Sequence, residues 1–190
     1  SHDSPRFGTS FQNKHKYKFR MGARKNTDLH LGPPDTAVVR EMRMMLLHQF
    51  TYTGAPHIWS GDELGMWGAD DPDCREPFPV KPDTELRSYY KTLIALRKKR
   101  RELVGGGLEF VVANDNDMTL AYRRELAGRE TIVAFNLSGQ VKTVSLTADD
   151  RLKIRVLLES SPGSVAGFRQ NNRKTEIKLN PYSGVALGDE

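Results

Sequence analysis

Apolar and polar positions follow two rhythms along this chain, and the change falls at Val104-Gly105-Gly106-Gly107. Before it, apolar residues recur at helical spacing between polar loops; after it, they alternate with period two in short runs. Residues 10–34 are rich in Lys, Arg, Asn and Gly and lack periodicity, which predicts an exposed loop or irregular helix. Pro33-Pro34-Asp35-Thr36 then opens a helix, with the prolines outside it and Asp35 placed to accept a bond from a first-turn N–H. Its apolar stripe is Val38, Met42, Met45, Leu46 and Gln49, widened by Val39 and Phe50, and Thr53-Gly54-Ala55-Pro56 ends it. His57-Ile58-Trp59-Ser60 predicts a short buried strand, followed by Gly61-Asp62-Glu63 and a long loop to about Pro82. A second helix begins near Asp83 or Thr84, with Leu86, Tyr89, Tyr90, Leu93, Ile94 and Leu96 along one face.

Beyond the glycines, Leu108, Phe110 and Val112 are expected to share a face, as are Ile154, Val156 and Leu158, then Ile177 and Leu179, then Val185 and Leu187. Asn114-Asp115-Asn116-Asp117 and Ala127-Gly128-Arg129 carry hairpin-turn chemistry. About seven such strands predict an antiparallel sandwich. The fold expected is therefore α/β followed by all-β, divided into residues 1–104 and residues 105–190.

Composition narrows the function classes. A chain of 190 residues holds one medium or two small domains and is too short for a complete (β/α)8 barrel, which takes ~250 residues. With 37% hydrophobic and 28% charged residues it can bury a core, so an ordered fold is expected. The longest apolar run, Met42 to Leu47, is broken by Arg43, so no membrane-spanning helix is expected. Cys74 is the sole cysteine, excluding an intrachain disulfide and any multi-cysteine metal cluster. The net charge of +5 invites a nucleic-acid reading. Yet the densest run, Arg97-Lys98-Lys99-Arg100-Arg101, closes a helix, where cations complement the macrodipole, and no aromatics interleave with it. No nucleic-acid or membrane partner is expected. The start of the chain has no apolar segment of a secretory signal and no initiator methionine, so it reads as a piece and the compartment stays open.

Candidate chemistry gathers after the predicted strand. In α/β folds, functional residues lie beyond the C-terminal ends of strands, where Asp62, Glu63, Asp70, Asp71 and Asp73 fall; Asp3, beside His2, comes from another loop. Aspartates beside a proline are also ordinary turn formers. Cys74 has no base placed by its neighbours and reads as inert, and His57 in an apolar strand reads as a core residue. These residues alone point only to a carboxylate-using hydrolase, a glycosidase or another.

Three blocks sharpen this. Ser1-His2-Asp3-Ser4-Pro5-Arg6 resembles the Asn/Ser-His-Asp-x-x-Arg motif that follows the seventh barrel strand in the α-amylase family, glycoside hydrolase family 13. Gly54 to Met66 resembles that family's eighth strand and the loop after it. Asp70-Asp71-Pro72-Asp73-Cys74-Arg75-Glu76-Pro77 is similar to its neopullulanase and cyclomaltodextrinase branch, and Tyr89 to Lys98 resembles the helix that joins barrel to C-terminal sandwich. One departure is Val80, where the branch usually has a tryptophan.

The resemblance implies a C-terminal fragment of a TIM barrel, with its last helices and eighth strand, followed by an antiparallel β-sandwich. It implies a retaining hydrolase of α-1,4, or also α-1,6, glucosidic bonds in maltodextrins, cyclodextrins or pullulan. Asp3 would be the transition-state-stabilising carboxylate and His2 a sugar-binding neighbour, while Asp71 and Arg75 would contact further glucose units. Asp62 and Glu63 are expected to be structural. The nucleophile and acid/base carboxylates, which retaining enzymes hold ~5–5.5 Å apart, would precede residue 1, so the chain alone is expected to be inactive. No cofactor is expected within this segment, calcium staying open for a longer parent. An unpaired barrel strand at His57–Ser60 should distort or pair with another chain, including a second copy. The alternative is a non-catalytic carbohydrate-binding β-sandwich module.

Overall fold

The stretch before Pro34 contains a short helix, α1 (Phe7–Gln12), with Gly8 and Thr9 buried. In the computed structural model, residues 4–14, 29–79, 84–147, 154–171 and 174–189 are described. Local periodicity is too weak to predict α1, because tertiary bonds hold it. Asn13 Nδ2 donates to the carbonyls of Thr9 (2.8 Å) and His30 (3.1 Å), and its Oδ1 accepts from the His30 N–H at 2.8 Å.

The two predicted long helices form as α2 (Thr36–Thr51) and α3 (Glu85–Lys99). Asp35 takes a partner other than the expected helix N–H: its carboxylate accepts from Gln12 Nε2 at 2.8 Å, while its own N–H donates to Gln12 Oε1 at 3.0 Å. Thr84 caps α3, its Oγ1 accepting from the Arg87 N–H at 3.1 Å. Val38, Met42, Met44, Leu46, Leu47 and Phe50 are buried along α2, so Met44 and Leu47 join the predicted stripe while Met45 is only half-buried. On α3, Leu86, Tyr89, Tyr90 and Leu93 are buried, Ile94 and Leu96 partly.

A short helix, α4 (Glu102–Gly105), leads into the strands β1 (Gly107–Asn114), β2 (Thr119–Leu126), β3 (Arg129–Asn136), β4 (Lys142–Thr147), β5 (Arg155–Glu159), β6 (Val165–Asn171), β7 (Lys174–Leu179) and β8 (Ser183–Gly188). They pair antiparallel as a five-stranded sheet, β1-β2-β3-β8-β5, and a three-stranded sheet, β4-β7-β6. Ala121, Ile132, Ala134, Val185 and Leu187 from the first sheet meet Val144, Leu146, Ile177 and Leu179 from the second in one core. β8 and all of β3 beyond Glu130 are buried, and on the outer face of their sheet His48 and Thr51 of α2 contact Tyr122 of β2 while His48 also packs on Phe135 of β3.

Two expected faces are broken by bulges. Phe110 pairs with Tyr122 but Val112 pairs with Ala121, so the extra residue Val111 turns Val112 to the core face and leaves Phe110 on the other side, 52% exposed. Likewise Val156 pairs with Leu187 and Leu158 with Ala186, which puts Leu158 on the opposite face. The turn at Asn114–Asp117 forms as predicted, with Asn114 Oδ1 accepting from the Asp117 N–H at 3.0 Å.

The strand predicted over His57–Ser60 is absent. Residues 55–59 have no regular structure, His57 is exposed rather than a core residue, and Ile58 is 37% exposed. A strand needs neighbours for its N–H and C=O groups, and no described strand pairs with this stretch. The chain divides into two compact units, Ser1–Met42 with His57–Thr92, and Arg43–Pro56 with Leu93–Glu190.

Candidate functional site

The first unit is organised around Arg6, which is 3% exposed. Its Nε donates to the Cys74 carbonyl and its Nη1 to the Ser60 carbonyl, each at 2.8 Å. Nη1 also lies 3.3 Å from Asp62 Oδ1, and the guanidinium sits 3.8 Å from the centre of the Trp59 ring. The Arg6 backbone N–H donates to the Gly68 carbonyl at 3.0 Å, and the Gly68 N–H donates to Thr9 Oγ1 at 2.9 Å. One side chain thus joins the start of the chain to the segment 59–74, which is otherwise irregular.

That segment is shaped by two single-turn 3-10 helices, Asp62–Leu64 and Asp73–Arg75. Gly61 (φ 101°) and Gly65 (φ 72°) flank the first in left-handed conformations that favour glycine, and Glu63 Oε2 accepts from the Gly61 N–H at 2.8 Å. Gly68 is needed for a different reason: a Cβ there would lie 2.5 Å from the Asp73 carbonyl oxygen and 3.0 Å from Cys74 Cα. This approach brings residue 68 against the second 3-10 turn. Burial pushes the Asp62 carboxyl up to about 6, outweighing the nearby Arg6 charge. Burial also raises the Cys74 thiol, consistent with the inert reading.

Asp71 and Arg75 are brought together by the second turn. Arg75 Nη2 lies 2.9 Å from Asp71 Oδ1 at the (i, i+4) spacing, with both side chains about half exposed (49% and 48%). An exposed pair of this kind contributes little to stability. Its carboxylate accepts and its guanidinium donates, which suits adjacent hydroxyls of a sugar. Asp70, by contrast, is buried, and its carbonyl accepts from the Cys74 N–H at 3.3 Å. His2 and Asp3 lie outside the described residues, as does Val80. Arg6 and Gly68 were not singled out from sequence. Arg6 closes the Ser-His-Asp-x-x-Arg segment and could have been found there, whereas the demand on Gly68 arises only from its contact with residues 73 and 74.

Among the described residues, no group of three or more His, Cys, Asp or Glu side chains could hold a metal ion, and no helix is long and apolar enough to cross a membrane.

No protein-family profile matches the chain. A cyclomaltodextrinase from Geobacillus thermopakistaniensis (strain MAS1) is 36% identical over 155 residues, covering 80% of this chain and 26% of that protein. Neopullulanase 2 from Thermoactinomyces vulgaris is 32% identical over 150 residues, covering 77% of this chain and 25% of that protein. In fold, the chain superposes along 100% of its length on 37% of an Anoxybacillus α-amylase, with a TM-score of 0.72 and 24% identity. The chain spans about a quarter of the length of these curated relatives. By these likenesses the chain belongs to the α-amylase family of glycoside hydrolases, alongside its cyclomaltodextrinases and neopullulanases.

Proposed function

We propose that this chain is the C-terminal part of a retaining α-amylase-family glycosidase that cleaves α-1,4 or α-1,6 glucosidic bonds in maltodextrins, cyclodextrins or pullulan. Residues 1–104 would complete the catalytic barrel and residues 105–190 would form the C-terminal sandwich. The observation that carries this reading is the Arg6 junction. It ties Arg6, the last residue of the Ser-His-Asp-x-x-Arg motif, to Ser60 and Asp62 and to Cys74 within one unit.

In this reading Asp3 carries the fixed negative charge that stabilises an oxocarbenium-like transition state, and His2 binds the sugar beside it. Asp71 and Arg75 hold glucose units away from the bond that breaks. The nucleophile and the acid/base come from residues outside this chain, so the 190-residue chain alone should release no reducing ends from maltoheptaose or β-cyclodextrin. In the longer enzyme, Asp3→Asn should lower kcat by about 10²–10³-fold. Hydrolysis by the purified chain, or full activity of the Asp3→Asn enzyme, would overturn the assignment.

A second reading, a carbohydrate-binding sandwich, draws on two exposed aromatics of the second unit, Phe110 (52%) and Tyr182 (40%). Retardation of the chain in starch-containing gels, lost in Phe110→Ala or Tyr182→Ala, would favour it.

A further inference from the structure

We propose that the turns carrying Met118 and Tyr182, at one end of the sandwich, form a non-catalytic contact for an α-glucan chain, with the Tyr182 ring as its stacking surface. The choice of α-glucan as occupant rests on the family reading given above. The surface itself is argued from its own geometry, and the test separates the two.

Three connections meet there: the β1–β2 turn (115–118), the β3–β4 loop (137–141) and the β7–β8 turn (180–182). The Met118 carbonyl accepts from the Leu137 N–H at 2.8 Å, and the Ser138 carbonyl accepts from the Tyr182 N–H at 3.1 Å. Consecutive residues of one loop therefore hold the other two turns. Lys142 Nζ donates to Asp117 Oδ1 at 2.9 Å across the same end. The hydroxyl end of Tyr182 lies over Gly139, where an added Cβ would sit 3.3 Å from Oη. Met118 (φ 54°) and Tyr182 (φ 49°) both adopt left-handed backbone, which Gly, Asn or Asp hold at less cost. Both side chains are also exposed, at 48% and 40%, as is Val141 of the same loop at 45%. Large apolar side chains at such positions stabilise neither the turn nor the core, so folding does not account for them. Backbone strain of this kind gathers where ligands are clamped. Beside them Asp115, Asn116, Asp117 and Gln140 are exposed and supply a rim of carboxylate and amide groups. Three apolar side chains fall well short of the roughly 20–30 residues that each side of a stable protein interface contributes. They suit one or two sugar rings, whose C–H faces pack on an aromatic ring while their hydroxyls bond the rim.

The test titrates the 190-residue chain with maltoheptaose, read by amide chemical shifts and calorimetry. Amides of residues 115–118, 137–141 and 182 should shift together. Tyr182→Asn should weaken binding about tenfold and Met118→Asn about threefold. The urea midpoints of both variants should stay at or above wild type, because asparagine holds left-handed backbone at less cost. Phe110→Ala removes an exposed ring that lies within β1 rather than in these turns, and should leave the affinity unchanged. No binding of maltoheptaose, or shifts confined to other residues, overturns the contact. So does an unchanged affinity in Tyr182→Asn, and with a lowered urea midpoint that result assigns the ring to the fold instead. Tighter binding of cellohexaose than of maltoheptaose overturns α-glucan as the occupant. Failure of the longer enzyme to hydrolyse any α-glucan overturns the family reading but not the contact, which the titration alone reads.

Discussion

Asp62 is a carboxylate whose burial outweighs a neighbouring cation. Its folded pKa of about 6 stands above the ~3.9 of an unfolded aspartate, so between those values the native state holds the proton more tightly. Stability from this group is complete below about pH 4 and is lost as pH rises through about 6. A rise of about two units corresponds to about 3 kcal/mol across that window. Asp62→Asn should therefore gain stability over wild type as pH is raised from 4 to 7, read from urea midpoints at each pH. Parallel pH profiles for the two proteins would rule out a raised Asp62. At Gly68 the constraint is steric. Both nearest atoms, at 2.5 and 3.0 Å from an added Cβ, are backbone, so neither can swing aside. Gly68→Ala should cost about 1–3 kcal/mol, checked by chemical denaturation.

At the scale of elements, the arginine run shows what patterning can and cannot reveal. The sequence places Arg97 to Arg101 at the end of a helix, and α3 does end at Lys99. Arg97, however, serves a different helix. It donates to the carbonyls of Phe50 (2.8 Å), Tyr52 (3.1 Å) and Gly54 (2.6 Å), at and beyond the C-terminus of α2. Arg124 of β2 adds a bond to the Thr51 carbonyl at 2.8 Å. Carbonyls of the last turn have no partner within their own helix, so two arginines complete α2. Arg97→Met should thus cost about 2 kcal/mol by thermal or urea unfolding, whereas Lys98→Met, exposed in the same run, should stay within about 0.5 kcal/mol. Equal effects for the two would show that the capping bonds do not matter. The rest of the run is also divided by burial: Arg100 is 1% exposed and bonds Glu102 and Asp189, while Lys98, Lys99 and Arg101 face solvent. Helix positions were legible because periodicity is local. Strand faces were legible for Ile177, Leu179, Val185 and Leu187, but not across the bulges at Val111 and Leu157, which a single sequence does not announce. The Asp71–Arg75 spacing was legible too; the Arg6 junction was not, because its partners at Ser60 and Cys74 are more than fifty residues away.

At the scale of the whole chain, the two units differ in how they satisfy their backbone. In the second unit, β-ladders pair the main chain, and β8 and all of β3 beyond Glu130 are buried. Its buried Glu102 is partly paired: Oε1 accepts from Arg100 Nε at 2.5 Å and from Thr131 Oγ1 at 2.6 Å, while Oε2 has no hydrogen-bond partner. In the first unit the described residues form helices and 3-10 turns but no strand, and residues 57–59 have no regular structure. Of the buried apolar residues among those described, only Val38, Met42, Ala69, Cys74, Leu86, Tyr89 and Tyr90 lie in that unit, and the rest lie in the second. Regions with solvent-exposed backbone and few buried apolar groups open at lower free energy than ladder-paired cores. The chain should therefore unfold in two steps in urea. Tryptophan fluorescence reports the first unit alone, since both tryptophans, Trp59 and Trp67, lie in it. It should change at lower denaturant than the exchange protection of Val133 and Val185 in the sandwich. Coincident transitions by the two probes would show instead that the chain unfolds as one cooperative body.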